Sequence, residues 1–358
     1  MGPVVVTADV GQRAMTAVDV RVDARQSLDH RGNSRRKAIL TMVGRRALFI
    51  VPVIAVVSAG LFAAAAISPF DPLVGYLGTR YMTTSDADKA LIADQMGFDN
   101  PWYSTYWNWL QGVFTGDLGI SRSFNQPVSQ VISERLPWTL LLVGISLLIA
   151  ILASLTLGVL AGIRSGGFLD KTVSGLSVVV QGLPPFVLSL GAIALFALTL
   201  GWLPVAGLTD GGADPTPGQV IRHLVLPVTV LSISQMPWLL LAVRESVVGS
   251  KSEGFVAGAV ARGIPTPTIT KRHILPTSLA PFVNIVGVRL PELIVGAVLV
   301  EEVFSWPGIA GAIVSSARDL DMALLAFLTV GTTLTVMLGS LLADVLVAVL
   351  DPRVSTDG

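Results

Sequence analysis

The chain contains no cysteine. That removes disulfide frameworks, thiolate nucleophiles and thiolate metal sites. Histidine is almost as scarce: His30, His223 and His273 lie far apart in sequence, so no metal cage built by this chain alone is expected. Charge is also short. Charged residues make up 13% of the 358 positions, where a soluble domain shows roughly 25%. Basic and acidic residues balance at 24 each, which leaves no global field to draw nucleic acid. The chain lacks a Gly-x-x-x-x-Gly-Lys-Ser/Thr loop to cradle ATP phosphates and a Gly-x-Ser-x-Gly elbow. No histidine has an apparent serine and acid partner, so no catalytic site of its own is expected.

What the chain has in abundance is apolar surface: 52% hydrophobic residues and a mean hydropathy of +0.71. Six apolar runs are long enough to cross a bilayer, which takes about 20 residues. They are Ala47 to Ile67, Trp138 to Ile163, Thr172 to Leu200, Leu224 to Val243, Leu279 to Val300 and Met322 to Leu350. The reading is an all-α membrane protein with six transmembrane helices over 45–358. Residues 1–44 are polar, with Asp19, Arg21, Asp23 and Arg25 alternating, and read as a disordered tail. They do not form a signal peptide, because the polar region is too long.

Six spans put both termini on one side. The tail end (Arg35, Arg36, Lys37, Arg45, Arg46), the 164–171 hairpin, the 244–276 loop and the C-terminus hold most of the Lys and Arg near span ends. Positive residues favour the cytoplasmic side, so the termini are expected there. Binding to anionic lipid is the sharper, less favoured reading of the basic tail end. Residues 68–137 and 201–220 then lie outside, and 201–220 contains no Lys or Arg. In the first of these, Tyr103, Tyr106, Trp107 and Leu110 share one helical face, either as packing or interfacial belt, or as a docking surface for an external protein.

The stretch Lys251 to Pro281 interrupts two hydrophobic runs with Lys251, Glu253, Arg262, Lys271, Arg272 and His273. Hydrocarbon does not admit such a series, since each unpaired charge costs about 2.5 to 3.5 kcal/mol even on a mild insertion scale. Glu253 to Arg262 has helical apolar spacing; Gly263 closes that helix, and Pro265 and Pro267 prevent its continuing. A second short segment, Thr268 to Leu275, runs into Pro276. The reading is a short helix, a sharp turn and a re-entry into membrane.

Ala257-Gly258-Ala259, three residues, Gly263, nine residues, then His273-Ile274-Leu275-Pro276 resembles the EAA coupling loop of ABC importer permeases. The chain is most similar to the first permease of dipeptide, oligopeptide and nickel importers. Gly254 stands where that family has an acid, with Glu253 beside it. Other stretches resemble family patterns: Ser68-Pro69-Phe70-Asp71-Pro72, Gly116-Asp117-Leu118-Gly119-Ile120-Ser121, Gln181-Gly182-Leu183-Pro184-Pro185-Phe186, VLVEEVFSWPGIAG over Val298 to Gly311, and Asp344 with Asp351-Pro352-Arg353. The tail 1–44 is not covered.

The resemblance implies a type I ABC importer permease fold in a bacterial inner membrane. It implies a second homologous permease, two ATP-binding subunits carrying ATP and Mg, and an extracytoplasmic solute-binding (lipo)protein. Glu253, Phe255, Ala257, Gly258, Ala259, Arg262, Gly263, His273, Leu275 and Pro276 would couple to the ATPase. Asp117, Glu301, Phe304, Trp306, Pro307 and Gly308 form the family motif of the outer face. Gln181, Pro184, Pro185 and Phe186 are placed beside the translocation path, where proline-freed carbonyls can face a lumen; a plain kink is the other reading. Arg289 and Glu292 are spaced to pair, either facing the path or tying helices together. Cargo stays open among peptides, nickel chelates, haem and opine-like solutes. An ion-coupled secondary transporter is the rival class, but it calls for embedded carboxylates and inverted repeats, and only Glu292 lies deep in a span.

Overall fold

The computed structural model describes residues 10–69, 71–98 and 100–350. Asp351-Pro352-Arg353 and Phe70 therefore lie outside the described residues. Helix α1 (Val10–Ala66) starts far earlier than the first apolar run, and its 28-residue segment from Ile39 to Ala66 is long and apolar enough to cross a membrane. The backbone from Val10 onward is helical where the sequence reads as disordered. No proline falls between Pro3 and Pro52, so nothing in that polar stretch breaks a helix once the apolar part has nucleated one.

Short helices and a two-stranded hairpin follow between α1 and the next long helix. Helix α2 (Pro72–Leu77) is capped by Asp71, whose Oδ1 accepts from Leu73 N at 2.8 Å. Helix α3 (Asp86–Met96) is capped by Ser85, and α4 (Trp102–Thr115) ends at Gly116 in the left-handed region. Strands β1 (Ile120–Ser121) and β2 (Gln126–Pro127) pair antiparallel, with Ile120 opposite Pro127.

Helix α5 (Val128–Ile163) begins ten residues before the predicted span, because Ser129 to Arg135 is helical without being apolar. The expected third span is not one helix. Helix α6 (Phe168–Gln181) and α7 (Pro185–Ala192, continued by a wider turn to Thr199) meet at 105°. The physical reason is two successive prolines: Pro184 and Pro185 offer no N–H, so the hydrogen-bond ladder cannot pass them.

Helix α8 (Pro217–Lys251) carries Pro227 and Pro237 internally and lies at the centre of the bundle. Helices α9 (Gly254–Ala261) and α10 (Thr266–Ile269) form the elbow. One wide turn, Thr270–Ile274, leads directly into α11 (Leu275–Val303). The helix thus begins four residues earlier than the apolar run indicates, and Pro276 sits in the first turn of α11, where a missing N–H costs nothing. Helix α12 (Ile309–Arg318) and α13 (Met322–Leu350) complete the chain. By length and composition four described helices can cross a membrane, or five if the bent pair is one span.

The core has two halves around α8. One gathers Leu142, Leu224, Leu231, Leu293, Val300 and Phe304. The other, at the elbow end, gathers Ala150, Leu239, Val243, Val247, Val256, Ala259, Ile269 and Ile274.

Candidate functional site

The elbow is built on a face-to-face division of its short helices. Val256 and Ala259 of α9, with Ile269 and Ile274 beyond the turn, are buried against Val243 and Val247 of α8. Burying four such side chains contributes on the order of 1.5–3 kcal/mol for each of the larger ones. The opposite face of α9 is open. Glu253 precedes the helix as its N-terminal cap residue and is exposed, as are Phe255, Ala257, Gly258, Arg262 and Gly263. Ala259 differs from the rest of the expected coupling set in pointing inward. Gly263 has φ 75°, a left-handed conformation that costs an L-residue roughly 1–2 kcal/mol. It lets Ile264 N bond back to Ala259 O at 3.2 Å and closes the helix. His273 is half-buried with its ring 6.2 Å from that of Phe255; Leu275 is half-buried and Pro276 exposed.

Two polar contacts fasten this end. Arg244 grips the Asp170 carboxylate through Nε at 2.6 Å and Nη2 at 2.8 Å, tying α8 to α6. Asp170 also accepts from Gly166 N at 2.8 Å and from Ser174 Oγ at 3.2 Å. Lys251 donates to Ile163 O at 2.8 Å, so the ammonium closes the C-terminus of α5, where cations are favoured. Sequence reasoning did not single out Asp170.

The α5–α8 seam was also missed, although it is written in the sequence. Ser146, Ala150, Ser154, Gly158 and Gly162 recur every four residues and all are buried on one stripe of α5. Small residues at that spacing let helix backbones approach closely in a membrane. Here Ser232 Oγ donates to Ser146 O at 3.1 Å and Ser154 Oγ to Met236 O at 3.1 Å.

At the α6–α7 break, Gln181 is half-buried, Pro184 and Phe186 are exposed, and Pro185 opens α7. A Cβ added at Gly296 of α11 would lie 4.0 Å from Pro185 and 3.3 Å from the Gln235 amide of α8, so three helices converge there. Arg289 and Glu292 form the expected ion pair one turn apart on α11. The Arg289 guanidinium lies 3.9 Å from the Trp238 ring centroid on α8, a cation–π partner the sequence did not reveal.

The opposite end is organised by Glu301, 1% exposed. Its carboxylate accepts from Thr139 Oγ1 at 2.6 Å and from Ala310 N at 2.9 Å, joining α5, α11 and the start of α12. Gly308 is required beside it, because an added Cβ would collide with the Glu301 carboxyl group. Trp306 is buried and donates Nε1–H to Trp138 O at 3.1 Å, Phe304 is buried in the core, and Pro307 is half-buried. Arg135 reaches Gly308 O at 3.3 Å. Asp117 stays exposed and accepts from Gly119 N at 3.0 Å, a local turn. Asp321 is a second buried carboxylate, accepting from Ser121 Oγ at 2.6 Å and Ser123 N at 3.1 Å. Among the described residues no group of three His, Asp or Glu side chains is placed to hold a metal ion.

The chain is 30% identical over 311 residues to the oligopeptide transport system permease protein AppB of Bacillus subtilis (strain 168), covering 87% of this chain and 98% of that one. It is 30% identical over 337 residues to the probable D,D-dipeptide transport system permease protein DdpB of Escherichia coli (strain K12), covering 89% and 98%. Among solved structures, an inward-facing form of the MetNI methionine ABC transporter superposes with a TM-score of 0.51 at 17% identity, over 62% of this chain and 97% of that one, which is a likeness of fold. Residues 154–356 match the family model described as the binding-protein-dependent transport system inner membrane component, and the chain is a multi-pass membrane protein belonging to that family.

Proposed function

We propose that this chain is the membrane-spanning permease subunit of an ATP-driven ABC importer that moves di- or oligopeptides, or related small solutes, into the cytoplasm by alternating access. The names of the two permease relatives support a peptide cargo. Six spans are assigned: the apolar part of α1, α5, the broken α6–α7 pair, α8, α11 and α13. Helix α11 has 29 residues, roughly 43 Å at 1.5 Å per residue, enough to cross despite Arg289 and Glu292. Both termini and the 244–276 elbow face the cytoplasm of a bacterium, with the chain in its inner membrane.

The observation that carries this reading is the elbow itself. It offers an open face made of Glu253, Phe255, Ala257, Gly258 and Arg262, while its other face is bolted into the core between α8 and α11. A stiff element of that kind transmits a push from outside the membrane into both helices. The pushing bodies are two ATP-binding subunits holding ATP and Mg; this chain supplies no catalytic group. A second homologous permease completes the path, and an extracytoplasmic binding protein delivers the cargo.

The chain has no cysteine, so single introduced cysteines report cleanly. A cysteine at Arg262 should cross-link to an ATP-binding subunit and be labelled from the cytoplasmic side, and vesicles of the assembled complex should take up a labelled dipeptide only with ATP. Uptake that follows an ion gradient and ignores ATP would establish the secondary-transporter class instead.

A further inference from the structure

Arg289 is the fifteenth of the 29 residues of α11, about 21 Å from either end of that helix. Charged side chains so far inside a span mark functional sites by default. The ion pair with Glu292 ties no two helices, because both partners belong to α11. It is also open to the outside of this chain: Glu292 is 57% exposed, and Trp238 beside the guanidinium is 43% exposed. A carboxylate that exposed does not face acyl chains, so this side of α11 looks onto water or a second chain. One turn further on, Gly296 brings α11 against the Pro185 corner of the broken α6–α7 pair.

Arg244 shows what a guanidinium of this chain can hold. Its Nε and Nη2 grip the Asp170 carboxylate at 2.6 and 2.8 Å while its Nη1 takes Glu245, so two carboxylates share one fork. Arg289 uses Nη1 alone, on Glu292 Oε2. Among the described residues its Nε and Nη2 meet no acceptor, and Glu292 Oε1 meets no donor. The Trp238 ring, 3.9 Å from the guanidinium carbon, steadies that group without taking an N–H.

We propose that Arg289 and Glu292 read the two free termini of a dipeptide on its way through the permease. The C-terminal carboxylate takes the Nε–Nη2 edge of Arg289, in the two-point manner of Asp170 on Arg244, and the N-terminal ammonium donates to Glu292. Charge balance selects this class of molecule. The pair is neutral, so a net anion or cation at this depth would leave one charge uncompensated, whereas a zwitterion adds one of each. Length selects it as well. Side chains three apart on a helix start about 5–6 Å from each other, and two extended residues span at most about 7 Å. The termini of a longer extended peptide lie too far apart to meet both groups. This assignment rests on the import reading above and names the part of this chain that meets the cargo.

The assembled complex, purified without the external binding protein and without ATP, is titrated by equilibrium dialysis with labelled dialanine, N-acetyl-dialanine and dialanine amide. Wild type should bind dialanine at least about tenfold more tightly than either blocked form. Arg289→Gln should bind dialanine at least about tenfold more weakly and no longer distinguish it from the amide, while still discriminating against the acetylated form. Glu292→Gln should show the converse. Arg289→Lys, which keeps the charge pair but has no fork, should fall between wild type and Arg289→Gln. A residue needed only for packing would not split the probes in this way. Equal affinity of wild type for the three probes overturns the site, as does an absence of dialanine binding. Loss of the partner permease from the Arg289→Gln or Glu292→Gln complex overturns it too, since the pair is then a contact between subunits. If the probes bind in the expected pattern but wild-type vesicles show no ATP-driven uptake, the import reading falls and the zwitterion site stands. ATP-driven uptake with all three probes bound alike has the opposite meaning.

Discussion

Arg244 and Asp170 meet on two atom pairs at once, which fixes the angle between α8 and α6 about two turns before α8 ends at Lys251. The carboxylate is nearly buried, at 4% exposure, while the guanidinium keeps 21%. Removing one partner of such a pair strands the other charge, and that typically costs about 3–5 kcal/mol when both are buried. With Arg244 part-exposed, Asp170→Asn should cost about 2–3 kcal/mol, seen as a lower thermal midpoint of the detergent-solubilised protein. Asp170→Asn with Arg244→Gln together should cost less than the sum of the two single changes. Additive losses would show that the pair contributes nothing beyond its separate side chains.

Three glycines of α5 provide an internal comparison for the seam with α8. At Gly144 nothing lies within 4 Å of an added Cβ. At Gly162 the same atom would meet Val247 Cβ at 2.7 Å and Arg244 O at 3.0 Å, and at Gly158 it would meet Leu240 O at 2.8 Å. Gly144→Ala should therefore be neutral or stabilise the helix by up to about 1 kcal/mol. Gly158→Ala and Gly162→Ala should destabilise by about 1–3 kcal/mol, because the helices must part. Thermal midpoints of the three variants check this; equal midpoints would mean that the seam is not closely packed.

Glu301 and Gly308 form a second dependent pair, at the outer-face motif. Gly308→Ala places a methyl group on the Glu301 carboxyl, so the start of α12 has to move. Glu301→Gln keeps the size but gives one of its two oxygens up to an NH2 group. That group would then face either the Thr139 hydroxyl or the Ala310 N–H, both of which donate to the carboxylate. A mismatch of this kind costs about 1–3 kcal/mol. Thr139→Val should recover part of the loss in Glu301→Gln if the hydroxyl is the misplaced donor, again read as a thermal midpoint.

Hydropathy located the helices well where the membrane itself sets the limits. Helix α13 occupies Met322–Leu350, the bounds of its apolar run, and α9 falls within one residue of the span inferred from Glu253 to Arg262. Helices that extend beyond the apolar region gave no such signal. Val10 to Ile39 in α1 and Ser129 to Arg135 in α5 are helical for backbone reasons, and hydropathy is silent about them. The break at Pro184-Pro185 reads from sequence as a kink, since one proline bends a helix and the second turns the bend into a corner. The small-residue stripe from Ser146 to Gly162 was legible at its four-residue period and overlooked. Contacts such as Thr139 with Glu301 and Ser121 with Asp321 were not legible at all. Their partners lie 162 and 200 positions apart, and only the folded bundle brings them together.

Gly263 tests the elbow as a lever. Its φ of 75° is closed to proline, whose ring holds φ near −65°, and nothing lies within 4 Å of an added Cβ, so strain and not collision is what substitution introduces. Gly263→Ala should therefore cost roughly 1–2 kcal/mol locally and leave the bundle intact. Gly263→Pro cannot keep the turn, so α9 should swing away from Val243 and Val247 while α8 and α11 hold their places through the core above. In vesicles of the assembled complex, Gly263→Ala should retain most ATP-driven uptake. Gly263→Pro should insert normally and allow its partners to hydrolyse ATP, with uptake reduced at least about tenfold, since the push no longer reaches the spans. Uptake at the wild-type rate by Gly263→Pro would remove the elbow from the coupling route, whatever else its exposed face contacts.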